Sequence, residues 1–145
     1  MNRLKTVSIL TAALTALGAC QVFEDPSPEQ ISIQLSGSNG TQVMAIYSQI
    51  FTAGVDEAGV TLVQVADADT VFQVLPIDTI VDIAASRQMF LQVETMPNDT
   101  VDVDVQIRID SRSVLSRSGL IFPGIPWRYV YQFNRPLTQF VEVVL

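Results

Sequence analysis

Residues 101–110 alternate without a break. Val101, Val103, Val105, Ile107 and Ile109 fall at one parity, and Asp102, Asp104, Gln106, Arg108 and Asp110 at the other. Successive side chains of a strand point to opposite faces, so this segment has one apolar face and one wet face. A helix would scatter the five branched residues around its circumference. The segment therefore calls for an antiparallel sheet with one face covered, and the cover must come from the rest of the chain.

The same period runs through much of that chain. Ile31, Ile33 and Leu35 alternate with Ser32, Gln34 and Ser36, and Gly37-Ser38-Asn39-Gly40 then turns the backbone. Residues 43–51 are apolar on both faces, which predicts a central strand ended by a turn over 54–59. Short segments rich in Val, Ile, Thr or Phe follow at 60–66, 70–75, 79–85 and 89–95. They are separated by Asp67-Ala68-Asp69, Pro76-Ile77-Asp78, Ser86-Arg87 and residues 96–100, each with turn chemistry. Residues 111–118 are polar and read as a loop or an edge segment, while 127–133 and 138–144 are the last two strands, split by Asn134-Arg135-Pro136. No apolar pattern of helical period is sustained after residue 20. Eight to nine short strands predict an all-β, antiparallel β-sandwich over residues 31–145, immunoglobulin-like in architecture. The Cys-Trp-Cys core of true immunoglobulin domains is absent. A membrane barrel needs strands of about 9–11 residues, and several segments here are shorter.

The first thirty residues do not join this pattern. Asn2-Arg3-Leu4-Lys5 is a short cationic start, residues 7–17 are apolar or small without charge, and Leu17-Gly18-Ala19-Cys20 follows. The apolar run is too short to remain as a membrane-spanning helix. These residues resemble the export signal and lipobox of bacterial lipoproteins, cut by the lipoprotein signal peptidase. The resemblance implies that residues 1–19 are removed and that Cys20 becomes the acylated first residue of the mature chain. The alternative is an ordinary secretory signal cut after Ala19, leaving a free thiol. In the lipoprotein reading the Cys20 thiolate takes a diacylglyceryl group, and each buried methylene adds about 0.8 kcal/mol of membrane affinity. No other cofactor is expected. Residues 20–30, with Glu24, Asp25, Pro26 and Pro28, then form a lipidated tether of roughly 35 Å at most. Gln21 stands where an Asp, by analogy with enteric-type bacteria, favours inner-membrane retention, so the outer membrane is expected if the source has two.

Charge and residue chemistry narrow the function. The leader holds Arg3 and Lys5 of the eight basic residues and none of the fifteen acidic ones, which leaves six against fifteen, a net −9. No Lys and no His remain, and such a balance opposes nucleic acid and anionic lipid surfaces. Without His, with its only Lys in the leader and its only Cys under lipid, the chain lacks the parts of triad, Schiff-base and thiol mechanisms. A carboxylate-pair enzyme of the glycosidase kind stays as a further alternative with no visible site geometry, and no catalytic residues are expected. Asp67, Asp69, Asp99, Asp102 and Asp104 offer hard oxygen ligands, but the expected turns put the first two at the opposite end from Asp99, and no metal site is expected. Asp102 and Asp104 read as a solvated face or as partners of an arginine on a neighbouring strand.

Two apolar features remain. Trp127, Tyr129, Tyr131 and Phe133 share one strand face and read as core, with an exposed stacking platform for a sugar or peptide as the sharper alternative. Leu120-Ile121-Phe122-Pro123-Gly124-Ile125-Pro126 is an apolar connection between strands. It is expected to fold back and close one end of the sandwich; the alternative is an interaction loop carried by Leu120, Ile121, Phe122 and Ile125. The expected function is that of a lipid-anchored cell-envelope protein with a non-enzymatic structural or protein-interaction role. Its partners would be the membrane, through the anchor, and another envelope protein. A small ligand- or sugar-binding sandwich is the alternative.

Overall fold

The computed structural model describes residues 27–135 and, for its backbone, 141–144; the leader, Cys20 and most of the tether lie outside the described residues. Nine strands follow in order among the described residues: β1 Gln30–Gly37, β2 Gln42–Val55, β3 Thr61–Val74, β4 Ile77–Asp82, β5 Gln88–Thr95, β6 Val101–Ile109, β7 Arg112–Ile121, β8 Trp127–Gln132 and β9 Val141–Val144. They form two packed sheets, a four-stranded one in the order β4-β1-β6-β7 and a five-stranded one in the order β8-β5-β2-β3-β9. Every pairing is antiparallel except that of β9, which runs parallel to β3 along residues 61–64.

The alternation in β6 meets its cover. Val101, Val103, Val105, Ile107 and Ile109 are all buried, together with Ile31, Ile33 and Leu35 of β1 and Met89, Leu91 and Val93 of β5. These side chains fill the space between the sheets, each contributing roughly 1.5–3 kcal/mol when fully withdrawn from water. Gly37 lets β1 run close beside β6, since a Cβ there would stand 2.6 Å from the Asp102 carbonyl oxygen.

Four connections, β1–β2, β3–β4, β5–β6 and β7–β8, cross between the sheets at one end, here the far end. At the opposite, entry end β1 begins at Gln30, and Asp110 in the tight β6–β7 turn holds it. The Asp110 carboxylate accepts hydrogen bonds from the backbone N–H groups of Glu29 (3.1 Å) and Gln30 (3.0 Å), while Asp110 N–H donates to the Gln30 carbonyl at 2.9 Å.

The five-stranded sheet is apolar on both faces. Its outer face carries a second cluster of Ile46, Phe51, Ala53, Val63 and Phe90, with Met44, Val65 and Val130 packed against it. Register shifts between Tyr47 and Phe51 explain how one hairpin serves both clusters. One extra residue in β2 and then one in β3 flip the parity of the hairpin, so Val43 and Tyr47 face the inter-sheet core while Phe51 and Ala53 face Phe90. Buried Ser48 sits at this bulge; its Oγ accepts from Ile50 N–H at 2.9 Å and donates to the Asp67 carbonyl. The Gln88 amide donates to the carbonyls of Gln49 (2.9 Å) and Phe51 (3.1 Å). Backbone groups displaced by the irregularity are thus re-satisfied.

Two sequence expectations change and one open alternative is decided. Asp67-Ala68-Asp69 is no turn; it lies inside the continuous strand β3, because β2 pairs with both halves across the bulge. Residues 111–118 lie almost wholly in β7, an edge strand whose polar residues suit exposure. The expected antiparallel sandwich gains a parallel edge through β9.

Ile107→Ala should therefore lower unfolding free energy by about 2–5 kcal/mol, through lost transfer energy and a cavity. Ile80→Ala, at an exposed position, should stay within about 0.5 kcal/mol of the parent. Urea denaturation monitored by circular dichroism measures both.

Candidate functional site

The far end presents an apolar tip. Phe122-Pro123-Gly124-Ile125 is a tight turn closed by a hydrogen bond from Ile125 N–H to the Phe122 carbonyl at 3.0 Å. Pro123 supplies a fixed φ at the second position, and Gly124 at φ 72° supplies the positive φ at the third, the requirements of a type II turn. Phe122 and Ile125 face one another as an isolated bridge pair. Of the four candidate interaction residues, Ile121 is core, 2% exposed, whereas Leu120 (56%), Phe122 (45%) and Ile125 (67%) stand in water. The expectation that this connection closes the sandwich end is corrected: a turn of four residues spans the crossing, and only Ile121, paired with Val101, reaches inside.

The aromatic row packs on the core. Trp127, Tyr129 and Tyr131 are half-buried against the inter-sheet cluster, and Trp127 stacks on Tyr129 with centroids 6.4 Å apart and planes 4° from parallel. Phe133 lies beyond β8 and is also half-buried. Burial, and secondarily the neighbouring Tyr131 phenol, pushes Tyr129 up to about 12. Beside the row, Trp127, Arg117, Leu120 and Val103 line a recess of about 270 Å3 between β7 and β8. On the outer face of the same sheet, Arg128 Nε donates to Gln92 Oε1 at 2.7 Å and Gln92 Nε2 donates to Glu94 Oε1 at 2.6 Å, so the buried Gln92 amide is satisfied at both ends.

A second surface was not anticipated from the sequence. On the side of β3 and β4 the sandwich is open, and a cleft of about 410 Å3 enters between the sheets to Ile33, Leu35, Ala45, Tyr47, Met89 and Leu91. Among the described residues β9 pairs with 61–64 of β3 and no strand pairs with the outer side of 66–74, which lies beside this cleft. The available sequence signal was the apolar content at both parities of 71–74, masked by reading 67–69 as a turn.

The carboxylates are dispersed. Asp67 and Asp69 sit mid-strand, Asp99 lies in the β5–β6 connection, and among the described residues no group of three potential ligands could hold a metal ion. Asp102 and Asp104 are exposed on β6, and Asp104 accepts a hydrogen bond from Ser118 rather than from an arginine. Cys20 falls outside the described residues. No protein-family model, curated protein or solved structure matches the chain.

Phe122→Ser combined with Ile125→Ser should shift the chemical-denaturation midpoint very little, because both side chains are already exposed. A loss of several kcal/mol would place them in the core instead. Tyr129 gives a second expectation. Its folded pKa, about 12, lies above the ordinary phenol value of 10. The folded state therefore holds the proton more tightly, and the associated stability is full below pH 10 and lost as pH rises through 12. Absorbance titration should show one phenol ionising late, and Tyr129→Phe should remove that step and flatten the alkaline fall in stability.

Proposed function

We propose that this chain is a bacterial envelope lipoprotein, acylated at Cys20, whose sandwich domain makes a non-enzymatic contact with another envelope protein. The observation that carries the interaction role is the tip: three large apolar side chains held out on a hydrogen-bonded turn. Preorganised exposed apolar groups of this kind suit a binding contact, since little conformational entropy is lost on docking. The tip lies at the far end, whereas the tether would join at Gln30, held at the entry end by Asp110. A domain hung from Cys20 thus offers its apolar tip away from its own anchor. Asp99 and Asp102 lie at the same end, an unfavourable setting for anionic headgroups and a neutral one for a protein groove. In a two-membrane cell the outer membrane is the proposed location. The sandwich is immunoglobulin-like in architecture alone; β1 and β2 lie in different sheets, whereas the first two strands of a constant-type immunoglobulin domain share one.

The recess beside Trp127 favours a second reading, a small ligand or sugar stacked between β7 and β8, with Arg117 at its rim.

Two measurements on the full chain test the proposal. Metabolic labelling with a fatty-acid analogue should mark the parent, and Cys20→Ser should lose both the label and the membrane fraction, because the thioether needs sulfur. A photo-reactive phenylalanine analogue at position 122 should give a discrete protein adduct in cells, with none at exposed Val114. Label retained by the serine variant removes the anchor; crosslinks to lipid alone, or equal adducts at both positions, remove the partner contact.

A further inference from the structure

The open side of the sandwich, between β3 and β4, is distinct from the apolar tip and independent of it. We propose that the cleft there binds a small organic cation, its apolar body lodged between the sheets and its ammonium head held against Asp69 and Asp67.

The cavity comes first. Small-molecule sites occupy roughly 300–1,000 Å3 and are mostly apolar, with a few polar groups that fix orientation. This cleft, at about 410 Å3, has that size and that make-up. Ile33 and Leu35 wall it from the four-stranded sheet, and Tyr47, Met89 and Leu91 from the five-stranded one. Thr79, paired with Ile33, and Gln73, paired with Val43, turn toward it from the two outer strands and supply uncharged polar groups at its lips. An apolar body entering here leaves water for hydrocarbon walls, and that transfer is the source of affinity. The recess beside Trp127 is smaller, about 270 Å3, and has Arg117 at its rim. No basic residue lines the larger cleft.

Strand register sets the charge at the mouth. Val43 pairs with Gln73, Ala45 with Val71 and Tyr47 with Asp69, so Gln73, Val71 and Asp69 share the face that looks into the cleft. Cross-strand partners stand about 4.5–5.5 Å apart at Cβ, which puts Asp69 beside Tyr47 at the mouth. Asp67, two residues along the same strand, follows on that face. Neither β3 nor β4 carries a basic residue to offset them. An apolar cavity with carboxylates at one end of its opening matches a ligand with an apolar body and a cationic end. An anion of the same shape meets repulsion, and a neutral analogue forgoes the attraction. Both aspartates are exposed, where an ion pair adds little, so apolar burial sets the affinity and the aspartates set the preferred sign of charge.

The probes are phenylbutylamine, phenylbutanol and phenylbutyrate, which share one apolar body and differ in the charge of the head. Each is titrated against the full chain with isotope-labelled Ile, Leu and Met methyl groups, kept in phosphatidylcholine nanodiscs where it purifies with membranes. Empty nanodiscs give the background from partition into lipid. The amine should shift the Ile33, Leu35, Met89 and Leu91 methyl resonances saturably, with a dissociation constant of about a millimolar or below. The alcohol should bind about threefold more weakly and the carboxylate about tenfold more weakly, and both gaps should shrink as salt rises. Asp67→Asn with Asp69→Asn, at exposed positions, should leave the melting temperature unchanged and bring the amine down to the affinity of the alcohol. The absence of a saturable shift up to about ten millimolar amine overturns the proposal. So does equal binding of amine and carboxylate, or a preference for the amine that survives both asparagine substitutions. Shifts confined to Leu120 and Ile125 overturn it as well, by placing the ligand at the tip.

Discussion

The five-stranded sheet has to bury both of its faces, and much of the remaining structure follows from that requirement. β5 shows it most directly: Met89, Leu91 and Val93 enter the inter-sheet core while Phe90 lies in the second cluster behind. The long β2–β3 hairpin contributes to both, and it does so by breaking its own register. Because strand side chains alternate strictly, one inserted residue transfers every later side chain to the other face. Phe51 and Ala53 reach Phe90 for this reason, and the Phe51 and Phe90 rings meet at 6.4 Å, tilted by 59°. Ser48 and Gln88 supply the hydrogen bonds that the bulge removes. A buried backbone group left without a partner there would cost about 1–3 kcal/mol.

The crossings give the molecule a polarity. With four inter-sheet connections gathered at the far end, the apolar tip, the β5–β6 connection and the β3–β4 turn are neighbours in topology, though widely separated in sequence. The entry end receives the chain at Gln30 under the hold of Asp110. A fold that begins at one end and displays Leu120, Phe122 and Ile125 at the other is suited to reaching away from an anchor. Its edges are treated unequally: β7 is covered with serine and arginine, whereas β3 combines two aspartates with exposed Phe72 and Val74. Charge discourages self-association at such an edge without making it unreceptive to an opposite charge.

The strands most legible in the sequence were those whose local pattern and final environment agree. β6 is wet on one side and covered on the other, and its period of two announces both facts; β1 is read the same way. β2 was recognisable as central because it is apolar at both parities, and it is the middle strand of its sheet. The errors occurred where a local signal was overruled by pairing. Asp67-Ala68-Asp69 has turn chemistry, yet ladder bonds to β2 on either side of the bulge keep it extended. The polar segment 111–118, open between a loop and an edge segment in the sequence, is the edge strand, and being exposed on both faces it needs no apolar stripe. The apolar connection at 120–126 was expected inside on composition, but its Pro-Gly turn projects the side chains into solvent.

By itself the sequence determined the all-β class, the identity of the inward-facing residues of β1 and β6, and the absence of histidine, because these depend on residue type and parity alone. Only the tertiary structure decided which edges stay open, which face Phe51 and Phe90 share, and that the tip lies opposite the start of β1. Those features depend on sheet order and on a one-residue register shift. Both are settled by contacts between segments far apart in the chain, and such contacts leave no period in the sequence.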